Sequence, residues 1–481
     1  MRIIDYLAAA IFITLGLWIQ QHLFLSWDVL WLMQCAEKWL HGGTYFHDFF
    51  ETNPPLIIYL STIPLGLAHF FHGDWVVSMR LFITIIGLGS LFLCQFLGGY
   101  CRNFTTTRIP LSFLALLFFI LPSYEFGQRE HLMVMLTMPY WLLNIYQLQQ
   151  IYFSKKIRIS IAVLAAIGLA LKPYFLIAWL LVTLYSCYQR HSWQSWRSLE
   201  NLIIYSFMLV YLIGIAFLTP TYYPLMLPII HTVYQHYALN WIHLLPNSVT
   251  VTALICVALA WALKDSIKEK HTAHVLLLLS LSFLGSYFMQ GEPWYYHLIP
   301  SLTFSILLLL LLLIAMQQKI FMAICIGLLL LLFPFYSYFI LTFNHLLEFK
   351  SKDSVPNQMI AFMQHYPTSV KFFQFDLFLS PWPTVAYLTQ STSVNRFPRM
   401  WLLPEALKND KYKELIFKLV TADIQQHQPQ FIFVNNQQTE PYLAQPFNFI
   451  DYFKQYPPFA KEWRHYHYVR TIDYIEIFQK K

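Results

Sequence analysis

The sequence is poor in charged residues. Asp, Glu, Lys and Arg make up 11% of its 481 residues, whereas apolar residues make up 57%. Soluble domains carry about 25% charged residues. A chain with so little charge cannot cover a large water-facing surface, so much of its surface is expected to meet lipid.

Several motifs are also missing. The six cysteines are scattered, and none lies in 343–481, which excludes a disulfide scaffold there. The chain has no HExxH, Walker A, Rossmann glycine motif or nucleophile elbow, which disfavours hydrolases and nucleotide-driven pumps. The net charge of +7 is not arranged as a basic stripe interleaved with aromatics, so nucleic acid is not an expected partner.

Long apolar runs are abundant, and a bilayer is crossed by about 20 apolar residues. The sequence predicts a polytopic α-helical membrane protein with about eleven transmembrane helices. They are 3–25, 78–100, 108–124, 131–151, 158–172, 173–188, 201–220, 247–264, 273–290, 298–317 and 319–342. The segment 54–72 could also span, or it could lie along the interface.

The positions of Lys and Arg favour the interfacial alternative for 54–72. Eleven crossings then begin in the cytoplasm, with twelve Lys and Arg residues on the inner side and four on the outer side. This distribution follows the positive-inside bias. The first outer loop, 26–77, and everything after 342 are therefore expected to face the periplasm of a bacterial inner membrane.

Charge becomes denser after residue 342. Residues 1–342 hold 16 Lys and Arg, whereas the much shorter 343–481 holds 15. We therefore predict a membrane domain, 1–342, and a small soluble α/β domain, 343–481. Strands are predicted at 370–379, 430–436 and 468–479, and an amphipathic helix at 404–428.

Carboxylates gather in the first outer loop. Asp28 follows the first helix, and Asp48 and Glu51 occur in the same loop. A lone Asp at a membrane boundary is commonly a solvated helix end, but three acids in one loop favour a site.

Residues of this loop carry a family resemblance. Asp28 and the segment with Phe49, Phe50, Glu51 and Pro54-Pro55 resemble the GT-C glycosyltransferases that use polyprenyl-phosphate sugars, such as aminoarabinose transferases of lipid A and protein O-mannosyltransferases. The resemblance implies a GT-C-like fold, Asp28 as the catalytic base and Glu51 as a second catalytic residue. Asp48 is expected to contribute to substrate binding. Val29 replaces the family's second acid, and Thr52-Asn53 replaces a lysine before the prolines.

Three later segments complete the resemblance. Arg129 and Glu130 lie in SYEFGQREHLMVML, and Lys172 in GLALKPYFL matches a family lysine. The segment EPWYYHLIP resembles a family helix entry. The candidate substrate-binding residues of these segments are Arg129, Glu130, Lys172, Tyr295, Tyr296 and His297. As alternatives, Arg129 and Glu130 would anchor a helix at the headgroups, Lys172 would snorkel, and the tyrosines would form an interfacial belt.

The resemblance implies a glycosyltransferase. The expected partners are a polyprenyl-phosphate-linked sugar as donor, membrane lipids, and a hydroxyl of a lipid, polysaccharide or protein as acceptor. A flippase for lipid-linked sugars and a catalytically inactive structural subunit are the alternatives. Neither a cofactor nor a set of metal ligands is assigned. A divalent metal stays open, because His231 and His236 are only two ligands and Val29 weakens the acidic pair.

Overall fold

The computed structural model describes residues 2–100, 109–233, 238–315, 327, 336–435, 443 and 447–481. The helices, numbered in chain order, are α1 Arg2–Gln21, α2 Trp27–Leu40, α3 Leu56–Phe70, α4 Trp75–Gly99, α5 Leu111–Ala115, α6 Arg129–Leu148, α7 Lys155–Ala170, α8 Leu176–Gln189, α9 Leu199–Leu218, α10 Leu227–Thr232, α11 Trp241–Leu244, α12 Ser248–Leu263, α13 Lys270–Gln290, α14 Tyr295–Ala315, α15 Tyr336–Lys350, α16 Val355–Met363, α17 Trp382–Thr389, α18 Leu403–Ala406, α19 Asp410–His427, α20 Phe449–Lys454 and α21 Pro457–Trp463. The strands are β1 Lys371–Phe375, β2 Thr392–Ser393, β3 Phe431–Asn435, β4 Tyr466–Ile472 and β5 Ile475–Lys480.

The chain forms two compact units. Unit 1 comprises Met1–Ser26, Ile63–Gly214 and Leu239–His345, and unit 2 comprises Trp27–Thr62, Ile215–Ala238 and Leu346–Lys481. Unit 2 therefore joins most of the first outer loop to the C-terminal domain. The predicted division at residue 342 separates a membrane domain from a water-exposed domain, which is a different criterion from compactness, and it stays a prediction. The helix α15 runs through this position.

Unit 1 fits a helical membrane protein. Among the residues that the structure describes, six helices are long and apolar enough to cross a bilayer: Ile3–Gln21, Trp75–Gly99, Leu199–Leu218, Ser248–Ser266, Lys270–Gln290 and Tyr295–Ala315. In the most apolar 18-residue stretch of Tyr295–Ala315, 78% of the residues are buried by protein, compared with 17% in Leu199–Leu218. The helix beginning at Tyr295 is therefore internal, whereas Leu199–Leu218 presents most of its apolar surface outward.

Several of the predicted spans form helices that are too short to count as full-length crossings. The run 131–151 corresponds to α6, and the runs 158–172 and 173–188 correspond to the shorter α7 and α8. Within the run 108–124, residues 111–120 form α5 followed by a π-helical turn, Leu116–Ile120. Residues 319–342 lie largely outside the described part of the chain. The coarse class is thus confirmed, and the count of eleven crossings is not.

The ambiguous segment 54–72 forms the single helix α3. At 1.5 Å per residue, its 15 residues extend for roughly 22 Å, less than the ~30 Å of a bilayer core. The length is compatible with an interfacial or tilted position, and the expectation of an interfacial helix stays a prediction.

Unit 2 contains a five-stranded mixed sheet with the order β2-β1-β3-β5-β4. The strands β2, β1 and β3 are parallel, while β5 is antiparallel to both β3 and β4. Strand β3 is buried along its whole length, as its central position requires. The core beside it includes Phe372, Trp382, Phe433 and Ile477.

The strands predicted within 370–379 and 430–436 are confirmed, as β1 over Lys371–Phe375 and β3 over Phe431–Asn435. The single late strand predicted at 468–479 is wrong, because the chain reverses there between β4 and β5. Asp473 takes a φ of +51° at the turn, a conformation that Asp tolerates better than most residues. The predicted helix 404–428 is divided into α18 and α19, with Asn409 capping the second.

A buried carboxyl group lies at the end of β1. Asp376 accepts hydrogen bonds from the Phe378 amide at 2.8 Å, Trp382 Nε1 at 2.8 Å and Asn435 Nδ2 at 2.9 Å. It thereby links β1 to β3 and α17. Burial nevertheless raises the pKa of Asp376 to about 7, because these hydrogen bonds offset only part of the desolvation of the charged form.

Unit 2 should therefore lose stability as the pH rises from about 4 to about 7. The folded carboxyl group binds its proton more tightly than the unfolded one. Its stabilising contribution is complete below the unfolded pKa and is lost as the pH passes the folded pKa, up to about 4 kcal/mol. Thermal unfolding followed by tryptophan fluorescence should show a smaller pH dependence in Asp376→Asn. The exposed Asp473→Asn is the control, and equal slopes in both variants would contradict the assignment.

Candidate functional site: a buried ionic cluster

A helical hairpin brings two candidate residues of unit 1 together. Helix α6 begins at Arg129, and α7 returns along it. Gly168 allows this close approach, because an added Cβ would lie 3.0 Å from Leu136 Cβ and 3.0 Å from Thr137 Cγ2. The same pairing aligns the residues just after α7 with the first turn of α6, where Glu130 is located.

Pro173 explains why Lys172 is not helical. Proline restricts the preceding residue to extended backbone, so α7 ends at Ala170. Lys172 has φ −146° and ψ 139°, and Pro173 begins a short 3₁₀ turn before α8. The predicted interruption is therefore present, and it turns the lysine out of the helix.

Lys172 lies at the centre of a buried polar cluster. Its Nζ donates to Glu130 Oε1 at 2.5 Å and to Gln290 Oε1 at 3.2 Å, and lies 3.3 Å from His297 Nε2. His297 Nε2 is 3.7 Å from Glu130 Oε1. Lys172 is 6% exposed and Glu130 is fully buried. The lysine is thus paired within the protein and does not snorkel.

The pairing leaves one carboxylate oxygen unused. Glu130 Oε2 is buried and has no hydrogen-bond partner among the residues that the structure describes. A buried carboxylate is costly unless its oxygens are satisfied. Its location in the first turn of α6 gives some stabilisation from the helix dipole. Glu130 Oε2 therefore keeps an unused capacity to accept a hydrogen bond.

Arg129 and the aromatic entry of α14 extend the cluster. The Tyr296 ring has Arg129 Cζ 5.8 Å and Lys172 Nζ 5.5 Å from its centroid. Arg129 also donates to Gln128 Oε1 at 3.2 Å. Tyr295 donates its hydroxyl proton to the Leu121 carbonyl at 2.7 Å, so its polar atom anchors α14.

The sequence interpretation missed three members of this network. Gln290 ends α13 and contacts Lys172 directly. Glu292 is buried, accepts from Trp294 Nε1 at 2.9 Å, and its carbonyl lies 3.4 Å from His297 Nδ1. Gln128 is also buried, beside Arg129. The sequence could have indicated these three residues, because each is a polar residue within or next to one of the identified segments.

The candidate residues of the first outer loop lie in unit 2. Asp28 is half-buried in the first turn of α2. Val29, at the position where the sequence resemblance expects a second acid, is 1% exposed and belongs to the apolar core, so an acid would be poorly accommodated there.

Glu51 and Asp48 make local contacts in that loop. Glu51 is buried and accepts from Trp31 Nε1 at 2.9 Å, from the Asn53 amide at 2.8 Å and from the Asn53 side chain. The backbone and side-chain amides of Asn53 therefore occupy the Glu51 carboxylate, next to the position where the sequence resemblance expects a lysine. Asp48 is exposed and accepts from the Thr44 amide at 2.7 Å. These contacts fit positioning roles within the loop.

The structure thus gathers Arg129, Glu130, Lys172, Tyr296 and His297 in unit 1. Asp28, Asp48 and Glu51 belong to unit 2. Within the described residues, no group of three His, Cys, Asp or Glu side chains could hold a metal, and His236 lies outside them. The use of a divalent metal stays a prediction.

Breaking the Lys172–Glu130 pair from one side should be costly. Lys172→Met leaves the carboxylate buried without its counter-charge, and we expect a loss of about 3 to 5 kcal/mol. Adding Glu130→Gln to Lys172→Met should restore most of that loss. Thermal midpoints of the purified protein measure the coupling, and Asp265→Asn, at the exposed Lys264–Asp265 pair, is the control. Additive effects would mean that the two charges do not depend on each other.

Comparison with protein-family models and with curated proteins finds no match to this chain. The function must therefore be argued from the two groups of residues themselves.

Proposed function

We propose that this protein is an integral membrane glycosyltransferase fed by a polyprenyl-phosphate-linked sugar. One observation carries the proposal: a lysine, an arginine, a glutamate and a histidine are buried together in an apolar helical unit. Ionisable groups at such sites are expensive and are typically retained for function. The unused oxygen of Glu130 adds a hydrogen-bond acceptor for a hydroxylated ligand.

The cluster suits a lipid-linked phosphate and sugar. Lys172 and Arg129 supply positive charge to the phosphate, and Tyr296 contributes an aromatic face beside both cations. Glu130 Oε2 would accept from a sugar hydroxyl. Because Lys172 is already bound to Glu130, the phosphate must compete with that carboxylate for the ammonium group.

In the proposed reaction, an acceptor hydroxyl attacks the anomeric carbon from the face opposite the phosphate. The new glycosidic C–O bond forms as the bond from the anomeric carbon to the phosphate oxygen breaks, with inversion. Asp28 takes the hydroxyl proton, and the polyprenyl phosphate leaves with the electron pair. Positive charge stabilises this leaving anion. Glu51 orients the acceptor or the donor.

The proposal includes the topology predicted from the sequence. Eleven crossings place the active site and the C-terminal domain in the periplasm, where an activated sugar arrives on lipid. A flippase would be expected to contain two repeated halves with broken helices at matching positions. The sequence shows no such repeat. Because Val29 occupies the position of the second acid, a catalytically inactive subunit is an alternative that the assay must distinguish.

Asp28→Asn should abolish sugar transfer, because an amide cannot accept the proton. The loss should be at least about a hundredfold, the lower range for general base catalysis. Turnover of radiolabelled polyprenyl-phosphate sugar by purified protein in liposomes measures it, and an unchanged thermal midpoint shows intact folding. Asp74→Asn is the control in the same outer loop, because Asp74 is exposed and an asparagine retains its helix-capping role. Full transfer by Asp28→Asn would remove this residue as the base.

The same assay separates the alternatives. Release of free polyprenyl phosphate and labelled acceptor supports the enzyme. Movement of the intact labelled lipid between leaflets without release would indicate a flippase. Neither release nor movement, from wild-type protein supplied with acceptors of all three classes, would favour a structural subunit.

Asp28 and Lys172 should open to one compartment. Single Asp28→Cys and Tyr174→Cys variants, in a background without native cysteines, should react with a membrane-impermeant maleimide added from the periplasmic side. Tyr174 is partly exposed and lies two residues from the buried Lys172, so it reports the side of that lysine without breaking its ion pair. Arg190→Cys, predicted to lie on the cytoplasmic side, is the control and should react only after permeabilisation. Labelling of Asp28→Cys and Tyr174→Cys from opposite sides would exclude a shared reaction.

A further inference from the structure

A three-residue segment of the C-terminal domain, Asn395–Phe397, is fixed firmly to the sheet and to α19. The Asn395 side chain accepts from the Gln374 amide at 2.9 Å and donates to the Gln374 carbonyl at 2.8 Å, which ties it to β1. Arg396 donates to Asp423 Oδ1 from Nε at 2.8 Å and from Nη2 at 2.5 Å. Asn395, Arg396 and Asp423 are all buried.

The same segment binds the first outer loop within unit 2. The Phe50 amide donates to the Arg396 carbonyl at 2.6 Å, and Arg396 Nη1 donates to the Phe46 carbonyl at 3.2 Å. Lys38 Nζ donates to the Asn395 carbonyl at 3.2 Å. The Phe50 and Phe397 rings stack with centroids 4.6 Å apart.

These contacts replace regular structure that the loop lacks. Residues 44–53 contain turns and an isolated bridge between Tyr45 and Phe49, so their backbone groups need partners elsewhere. Arg396 supplies both a carbonyl acceptor and a guanidinium donor. Its planar fork reaches Asp423 and Phe46 at once, which a lysine ammonium on one flexible stem does not reproduce.

We infer that Arg396 is a positioning residue that holds the Phe46–Phe50 segment and, through it, the adjoining Glu51. The C-terminal domain then forms part of the support of the outer loop and is not a separable accessory module. The holding contact stands on geometry alone, while its effect on turnover rests on the proposed glycosyltransferase function. The long sequence separation, from Phe46 to Arg396, explains why the sequence pattern does not reveal it.

Hydrogen–deuterium exchange of the full-length protein tests the holding contact without an activity assay. In Arg396→Lys, peptides covering residues 44–53 should exchange about tenfold faster, while β1 and β3 keep their protection. Glu414→Gln, which breaks the exposed Glu414–Lys418 pair on the same helix as Asp423, is the control and should change neither. Phe397→Leu is the second variant, since it removes the stacked ring and leaves the buried ion pair intact.

Turnover then tests the positioning role. Both variants should lower kcat by about tenfold to a hundredfold, with the KM for the lipid donor nearly unchanged, because a displaced loop misaligns groups without removing the phosphate site. Unchanged exchange at 44–53 in both variants overturns the inference. Faster exchange with unchanged kcat overturns the positioning role. Absence of turnover in the wild type would count against the glycosyltransferase, while exchange would still decide whether Arg396 holds the loop.

Discussion

The ion pair between Lys172 and Glu130 is the constraint on which the membrane unit depends. Two opposite charges taken out of water are tolerated only when their geometry is good and further polar groups satisfy them. Four local features meet at this point: the interruption before Pro173, the first turn of α6, the end of α13 and the entry of α14. The helices around the pair are therefore positioned by a polar requirement as well as by apolar packing.

Local patterns predicted the local structure well. Apolar length indicated the helices of unit 1, and Pro173 indicated the interruption after α7, because both signals act within a few residues. Strands β1 and β3 were equally readable from their apolar runs. The reversal at Asp473 was missed because the apolar alternation continues through it, and one polar residue in a turn conformation is a weak signal.

Long-range partners could not be predicted in this way. The sequence identified Lys172 and His297 separately, but 125 positions lie between them, and no pattern indicates that they meet. The assembly of unit 2 is a stronger case, since Phe46 and Arg396 are 350 positions apart. The sequence resemblance matched residue types at given positions, but it could not indicate the contacts that those residues make in the fold. Glu51 has the expected residue type, yet its carboxylate is occupied by Trp31 and Asn53, which the matched motif does not reveal.

Charge balance gives Glu130 a specific part in the proposed reaction. A sugar phosphodiester carries one negative charge, whereas the departing polyprenyl monophosphate carries up to two at neutral pH. In a site of low dielectric constant, the more highly charged product competes more strongly for Lys172 than the donor does. Glu130 belongs to the protein and stays beside the Lys172 ammonium, so its carboxylate competes with both the donor and the product for that ammonium. That opposition lowers the affinity for the product anion, which would otherwise be the most tightly bound species. A lysine without such a counter-ion would bind the leaving lipid well and release it slowly, so in the proposed reaction the buried pair would speed product release.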